Sequence, residues 1–300
     1  MQKRIFLMAA SFFFISLLVQ SQVVGTVSTV VPDFEGNGSV AVSADGTLFI
    51  NEYGTANSNI SGTGKRVFKV TSDGQFEVLL DEVSGAVGNA VDSKGNYYFN
   101  NGNSYESSTL MSYTAEGELL TIAELKGFSG DILISKDEES FFIPSYTRPV
   151  IMKVNKNGET EEFVKDTRLL GCTGIVRGES NEMYVSNFAS GLIMAVSESG
   201  ELEEIGNIPV VYPNYVVGYI TYFEGHIYAT GYGSNKIYKM SLEGQVSELA
   251  GSGKYGSTDG EAKDAEFITP NGIEVDPKKR LLYVTQNGNG KPAALRAIKL

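Results

Sequence analysis

A glycine ahead of a short apolar strand recurs at Gly38, Gly88, Gly130, Gly174, Gly218 and Gly272, at separations of 50, 42, 44, 44 and 54 residues. Each opens a unit with one grammar, as in "GSVAVSADGTLFINEYG" followed by "KRVFKVTSDGQFEVLL", or "GDILISKDEESFFIPSY" followed by "PVIMKVNKNGETEEFV". Alternating apolar and polar residues with "SDGQ", "AEGE", "KNGE" and "ESGE" turns are hairpin chemistry, and helical periodicity is absent beyond the N-terminal segment. Four strands fit each period. Six such units predict an all-β fold, a six-bladed β-propeller of four-stranded antiparallel blades, because radial repetition leaves few exposed edges.

The sixth unit stops after its third strand, "AALRAIKL". The missing strand has a source at the other end of the chain, where "VVGTVSTVVPDFEGNG" resembles the end of the fifth unit. Thr26 to Val31 are therefore expected to complete the last blade and close the ring. A single domain over 22–300 follows, and a monomer is expected.

Lys3-Arg4, the apolar run "IFLMAASFFFISLLV" and the polar "QSQ" predict a secretory signal peptide over 1–21, cut after Ser21. The run falls short of the roughly 20 residues of a membrane-spanning helix, so no stable membrane insertion is expected after removal. The protein is expected to be secreted or periplasmic. Its formal charge of −12 becomes −14 without Lys3 and Arg4, a field that repels phosphate backbones and excludes nucleic acid as a partner class. The one cysteine, Cys172, lies in apolar "RLLGCTGIV" and reads as a small buried hydrophobe. The one histidine, His226, begins a strand, so a zinc centre or a Ser-His-Asp triad lacks parts. "SGTGKR" lacks P-loop spacing, and the carboxylates of "STDGEAKDAE" read as solvated loop charges.

The run "LAGSGKYGSTDGEAKDAEFITPNGIEVDPKKRLLYVTQ" resembles an NHL repeat, with its Gly-rich exit, "DG", "A.F", "P.GI.VD" and "LYV". The resemblance implies a six-bladed propeller, often an interaction scaffold. The pattern departs where the family carries an acidic residue after "LYV": Thr285-Gln286 stand there, and Asn51 in blade one.

Strand parity places the long connections, including "EYGTANSNISGTGK" and "NNGNSYESS", on one face. That face is expected to bind a protein or small-molecule ligand, with Tyr53, Asn57, Tyr105 and Tyr255 as contact candidates. A second resemblance, through "EGNG" and "PNGI", is to the gluconolactonase and senescence-marker propellers. It implies a calcium-dependent lactone or ester hydrolase with an axial metal, for which Asn37, Asn89, Asp131 and Asn271 are the positions. Only one of these is a carboxylate, whereas calcium commonly takes two or more among at least six oxygens. Glu35 is a further candidate if the chain bends there.

Overall fold

The computed structural model describes residues 25–300, so the leader expected over 1–21 lies outside the described residues. Six antiparallel sheets are arranged in sequence order around a ring. Blade one is typical: Val40–Val42, Leu48–Asn51, Val67–Val70 and Phe76–Leu80 run from the axis outward. The strands are short and apolar near the axis and amphipathic at the rim, where Phe76–Leu80 is largely exposed. In every blade the pairing of the third strand with the fourth slips by one or more residues, as between Val67 and Phe68 or Ile193 and Met194. Such a bulge sharpens the right-handed twist a blade needs to present both faces to its neighbours.

Ring closure follows the expected plan and extends it. Thr26–Phe34 pairs antiparallel with Ala293–Lys299, Val27 facing Ile298, as the fourth strand of blade six. It runs three residues beyond the expected Val31, and a fifth short strand, Gly260–Glu261, pairs outside it. That addition comes from the long connection between blades five and six. The connection is anchored by Arg296, a fully buried guanidinium that donates to the Glu266 carbonyl at 2.7 Å, the Thr258 carbonyl at 3.1 Å and the Asp259 carboxylate at 2.6 Å. Asp259, still 48% exposed as a loop carboxylate, thereby pairs with a buried cation.

The core is divided among the blade interfaces. One cluster, for example, joins Tyr98 and Leu110 of blade two to Phe141 and Ile143 of blade three. Another joins Tyr283 and Leu295 of blade six to Ile50 and Phe68 of blade one. Cys172 lies in such a layer, fully buried, and burial pushes its thiol up to about 12.

The recurring glycine has a steric reason. None of the six has positive φ. Instead, each inner strand starts against the backbone of the next blade. A Cβ at Gly88 would lie 2.1 Å from the Gly130 carbonyl oxygen, one at Gly130 2.4 Å from that of Thr173, one at Gly218 2.6 Å from that of Asn271, and one at Gly272 2.5 Å from that of Gly38. Contacts this short admit no side chain. The same zone holds polar staples at the end of the second strand. Asn51 Nδ2 donates to the Val87 and Gly88 carbonyls at 3.1 and 3.2 Å, and Asn100 Nδ2 to that of Gly130 at 2.6 Å. Thr230 Oγ1 donates to Asn271, and Thr285 Oγ1 to Gly38, both at 2.6 Å. This explains the departure from the acidic residue of the NHL pattern. An ionised carboxylate has no proton to donate to a carbonyl.

Candidate functional site

Two residues beyond the staple position, the chain leaves the second strand on the long-loop face, and there four blades carry an aromatic ring. In blades three and four the staple position is occupied by Pro144 and Ser186, without a staple bond. The aligned runs are "FINEY" ending at Tyr53, "FIPSY" at Tyr146, "YVSNF" at Phe188 and "YATGY" at Tyr232; blade two has Gly102 and blade six Asn287. These positions converge around the axis. With Phe128 and Tyr219 they line a cup of about 230 Å³ whose floor is made by the inner-strand starts, including Gly38, Val87, Thr173 and Asn271.

The wall is a continuous arc of edge-to-face pairs. Tyr53 meets Phe128 at 6.3 Å between centroids, Phe128 meets Tyr146 at 5.8 Å, Tyr146 meets Phe188 at 6.1 Å, and Phe188 meets Tyr232 at 5.3 Å. T-shaped packing fixes each ring against its neighbour. Tyr215, 56% exposed, extends the arc to the rim at 5.8 Å from Phe188. It belongs to the connection between blades four and five, which also exposes Val210, Val211 and Tyr212. Burial raises the phenols of Tyr146, Tyr219 and Tyr232, with neighbouring phenols or Asp131 adding to the effect, so they stay neutral near pH 7. Their hydroxyls make no hydrogen bond to protein among the described residues and remain available to a ligand.

Of the sequence-derived contact candidates, Tyr53 lines the cup. Its hydroxyl donates to the Ile60 carbonyl at 2.7 Å, and burial pushes it up to about 12. Asn57 shapes the loop instead: its Oδ1 accepts from the Asn59 and Ser61 amides at 2.8 and 3.1 Å. Tyr105 and Tyr255 are 54% and 55% exposed and lie outside the cup lining. Phe128, Tyr146, Phe188, Tyr215, Tyr219 and Tyr232 were not among the candidates. Four-fold recurrence of an aromatic at the same offset past the end of the second strand was the signal available for Tyr146, Phe188 and Tyr232.

The axial positions are all near the ring, but their side chains turn to different tasks. Asn37 Oδ1 accepts from the Tyr53 and Gly54 amides, both at 2.9 Å, and its Nδ2 donates to the Gly54 carbonyl at 2.8 Å, fastening the segment that carries Tyr53. Asn271 Nδ2 donates to the Asn37 carbonyl at 2.7 Å. Asn89 Nδ2 reaches the Phe49 carbonyl at 3.0 Å and the Tyr97 hydroxyl at 3.1 Å, between blades one and two. Asp131 Oδ1 accepts from Ser39 Oγ at 3.0 Å and the Asn89 amide at 3.1 Å. Glu35, half-exposed, pairs with Arg66 at 2.7 Å.

Asn89 Oδ1 is buried without a partner among the described residues, a feature that would suit a cation. Against it, the Asn37 oxygen is already spent on two amides. Among the described residues no three His, Cys, Asp or Glu side chains gather as a metal set. These residues do not fit a calcium cage of six or more oxygens.

What the axis does hold is a second carboxyl group. Glu274, in the inner strand of blade six (Pro270–Asp276), accepts from Thr221 Oγ1 and its neighbour's amide at Val275, both at 2.7 Å. Desolvation pushes Asp131 up to about 8 and Glu274 up to about 7, and the charge of Glu274 adds to the rise at Asp131. Among the described residues no salt bridge offsets either.

No protein-family model and no curated protein matches this chain. Solved structures do match. The chain is similar to an auxiliary nutrient binding protein from Bacteroides ovatus, at 16% identity and a TM-score of 0.71, over 92% of this chain and 77% of that one. It is similar to a gluconolactonase from Xanthomonas campestris, at 14% identity and a TM-score of 0.65, over 91% and 89%. A virginiamycin B lyase from Staphylococcus aureus is similar at 17% identity and a TM-score of 0.61, over 91% and 99%. At such identities the likeness is one of architecture, and with the six sheets it makes this chain a six-bladed β-propeller.

Proposed function

We propose that this chain is an exported binding module that captures a small organic molecule in the aromatic cup on its long-loop face. The observation that carries the reading is the ring of neutral aromatic side chains at equivalent positions of four blades, converging on one cup. A shape-determined, mostly apolar concavity with a few free hydroxyls is how proteins hold small ligands. The cup's size suits a ligand of one or two rings. Export rests on the basic-apolar leader. The name of the Bacteroides ovatus protein, a nutrient binding protein, is in keeping with this reading. The hydrolase alternative draws on the gluconolactonase likeness, but the axial amides lack the oxygen cage it needs.

Indole serves as a neutral aromatic probe, observed by saturation-transfer NMR. Wild-type protein is expected to give ligand signals that vanish in the double variant Phe188→Ala/Tyr232→Ala and persist in Tyr105→Ala. Signals unchanged in the double variant would place the site elsewhere. Calcium added to metal-free protein is expected to change neither the melting temperature nor hydrolysis of simple lactones, and a rise in both would restore the hydrolase reading.

A further inference from the structure

We infer that the cup selects a small organic cation of the tetraalkylammonium type; this rests on the binding reading above and narrows its ligand class. Three features point the same way. First, no Lys, Arg or His is among the residues lining the cup, so an anionic ligand would meet no opposite charge there. Aromatic faces carry negative quadrupoles and attract cations when desolvated.

Second, the polar groups of the floor are committed to the frame. Thr173 Oγ1 donates to the Gly218 carbonyl at 2.9 Å, and Asn271 Nδ2 to that of Asn37 at 2.7 Å. A sugar, with hydroxyls on every side, would find as partners chiefly the Tyr146, Tyr219 and Tyr232 hydroxyls and the Asn287 side chain, and leave its other hydroxyls unpaired, which is costly. A quaternary ammonium asks for no hydrogen bond at all.

Third, the nearest charges beneath the floor are acidic. Asp131 lies two residues past Ser129, the blade-three equivalent of the floor residues Val87 and Thr173, and the Tyr219 phenol feels both Asp131 and Tyr53. From blade six, the charge of Glu274 adds to the rise at Asp131. Neither has a basic partner among the described residues, so both tend to hold a proton near neutral pH, and a cation in the cup would favour their ionised forms. The wider field agrees, at a net charge of −12 over the chain.

The test compares choline with 3,3-dimethylbutan-1-ol, which replaces the ammonium nitrogen by carbon at nearly the same shape. By calorimetry, choline is expected to bind at least tenfold more tightly than the neutral alcohol. The advantage should shrink in Tyr146→Leu/Tyr232→Leu, which keeps apolar volume but removes the ring faces, and in Asp131→Asn. Equal affinity for both compounds overturns the cation selectivity while leaving the cup as a binding site. Absence of choline binding at millimolar concentration also overturns it. In that case the indole signals decide separately whether the cup binds anything.

Discussion

Gly88→Ala is expected to be the most damaging alanine change among the six ring glycines. The added carbon would sit 2.1 Å from the Gly130 carbonyl oxygen and 2.5 Å from the Asp131 Cα, backbone atoms that cannot swing aside. Relief requires moving blade two away from blade three. That displacement would strain the Asn100 staple to Gly130 and the layer between Leu110 and Phe141. Overpacking of this kind costs about 3 kcal/mol or more, a large share of the roughly 5–15 kcal/mol that holds a domain together.

Gly102→Ala is the control. There the φ of 65° imposes strain, but nothing lies within 4 Å of the new carbon, so only the left-handed penalty of about 1–2 kcal/mol applies. Melting temperatures of the two variants check the argument. Equal losses would mean the ring glycines serve backbone freedom rather than close approach.

The second large effect concerns pH. Asp131 carries a folded-state pKa of about 8 against a model-compound value of 3.8. The folded state therefore binds a proton that the unfolded state has released. Stability is fully present below about pH 4 and is lost as pH rises toward 8. At about 1.4 kcal/mol per pH unit, the loss between pH 5 and pH 8 is on the order of 4 kcal/mol. Glu274, raised to about 7, steepens the same slope.

Asp131→Asn keeps an acceptor for Ser39 and the Asn89 amide but cannot ionise. It is expected to flatten the pH dependence of urea unfolding by more than half and to be more stable than wild type at pH 9. Identical slopes for the two proteins would show that the Asp131 proton is not taken up on folding.

These expectations also show where sequence reasoning had purchase. Gly38 to Gly272 could be read as a repeat because steric need at the axis is the same in every blade. The truncated sixth unit announced its partner because a three-stranded blade would leave an open edge. The cup was harder to see. Long loops drew the search to Tyr105 and Tyr255, whereas Tyr146, Phe188 and Tyr232 stand just past the strands, where the backbone aims them at the axis. Loop length says where chain is abundant, not where side chains converge. The axial amides were misleading for another reason. An Asn can turn its oxygen to a cation or to a backbone N–H, and for Asn37 the amides of Tyr53 and Gly54 decide it.

The pairing of Val27 with Ile298 also governs how the molecule can be born. Among the described strands Thr26–Phe34 is made first, yet its neighbour Ala293–Lys299 is made last. Blades one to five can form their hairpins in order of synthesis, but the ring cannot be closed until Ala293–Lys299 has been made. Contacts this distant in sequence are slow to form. Until then Thr26–Phe34 waits without the partner that closes the ring.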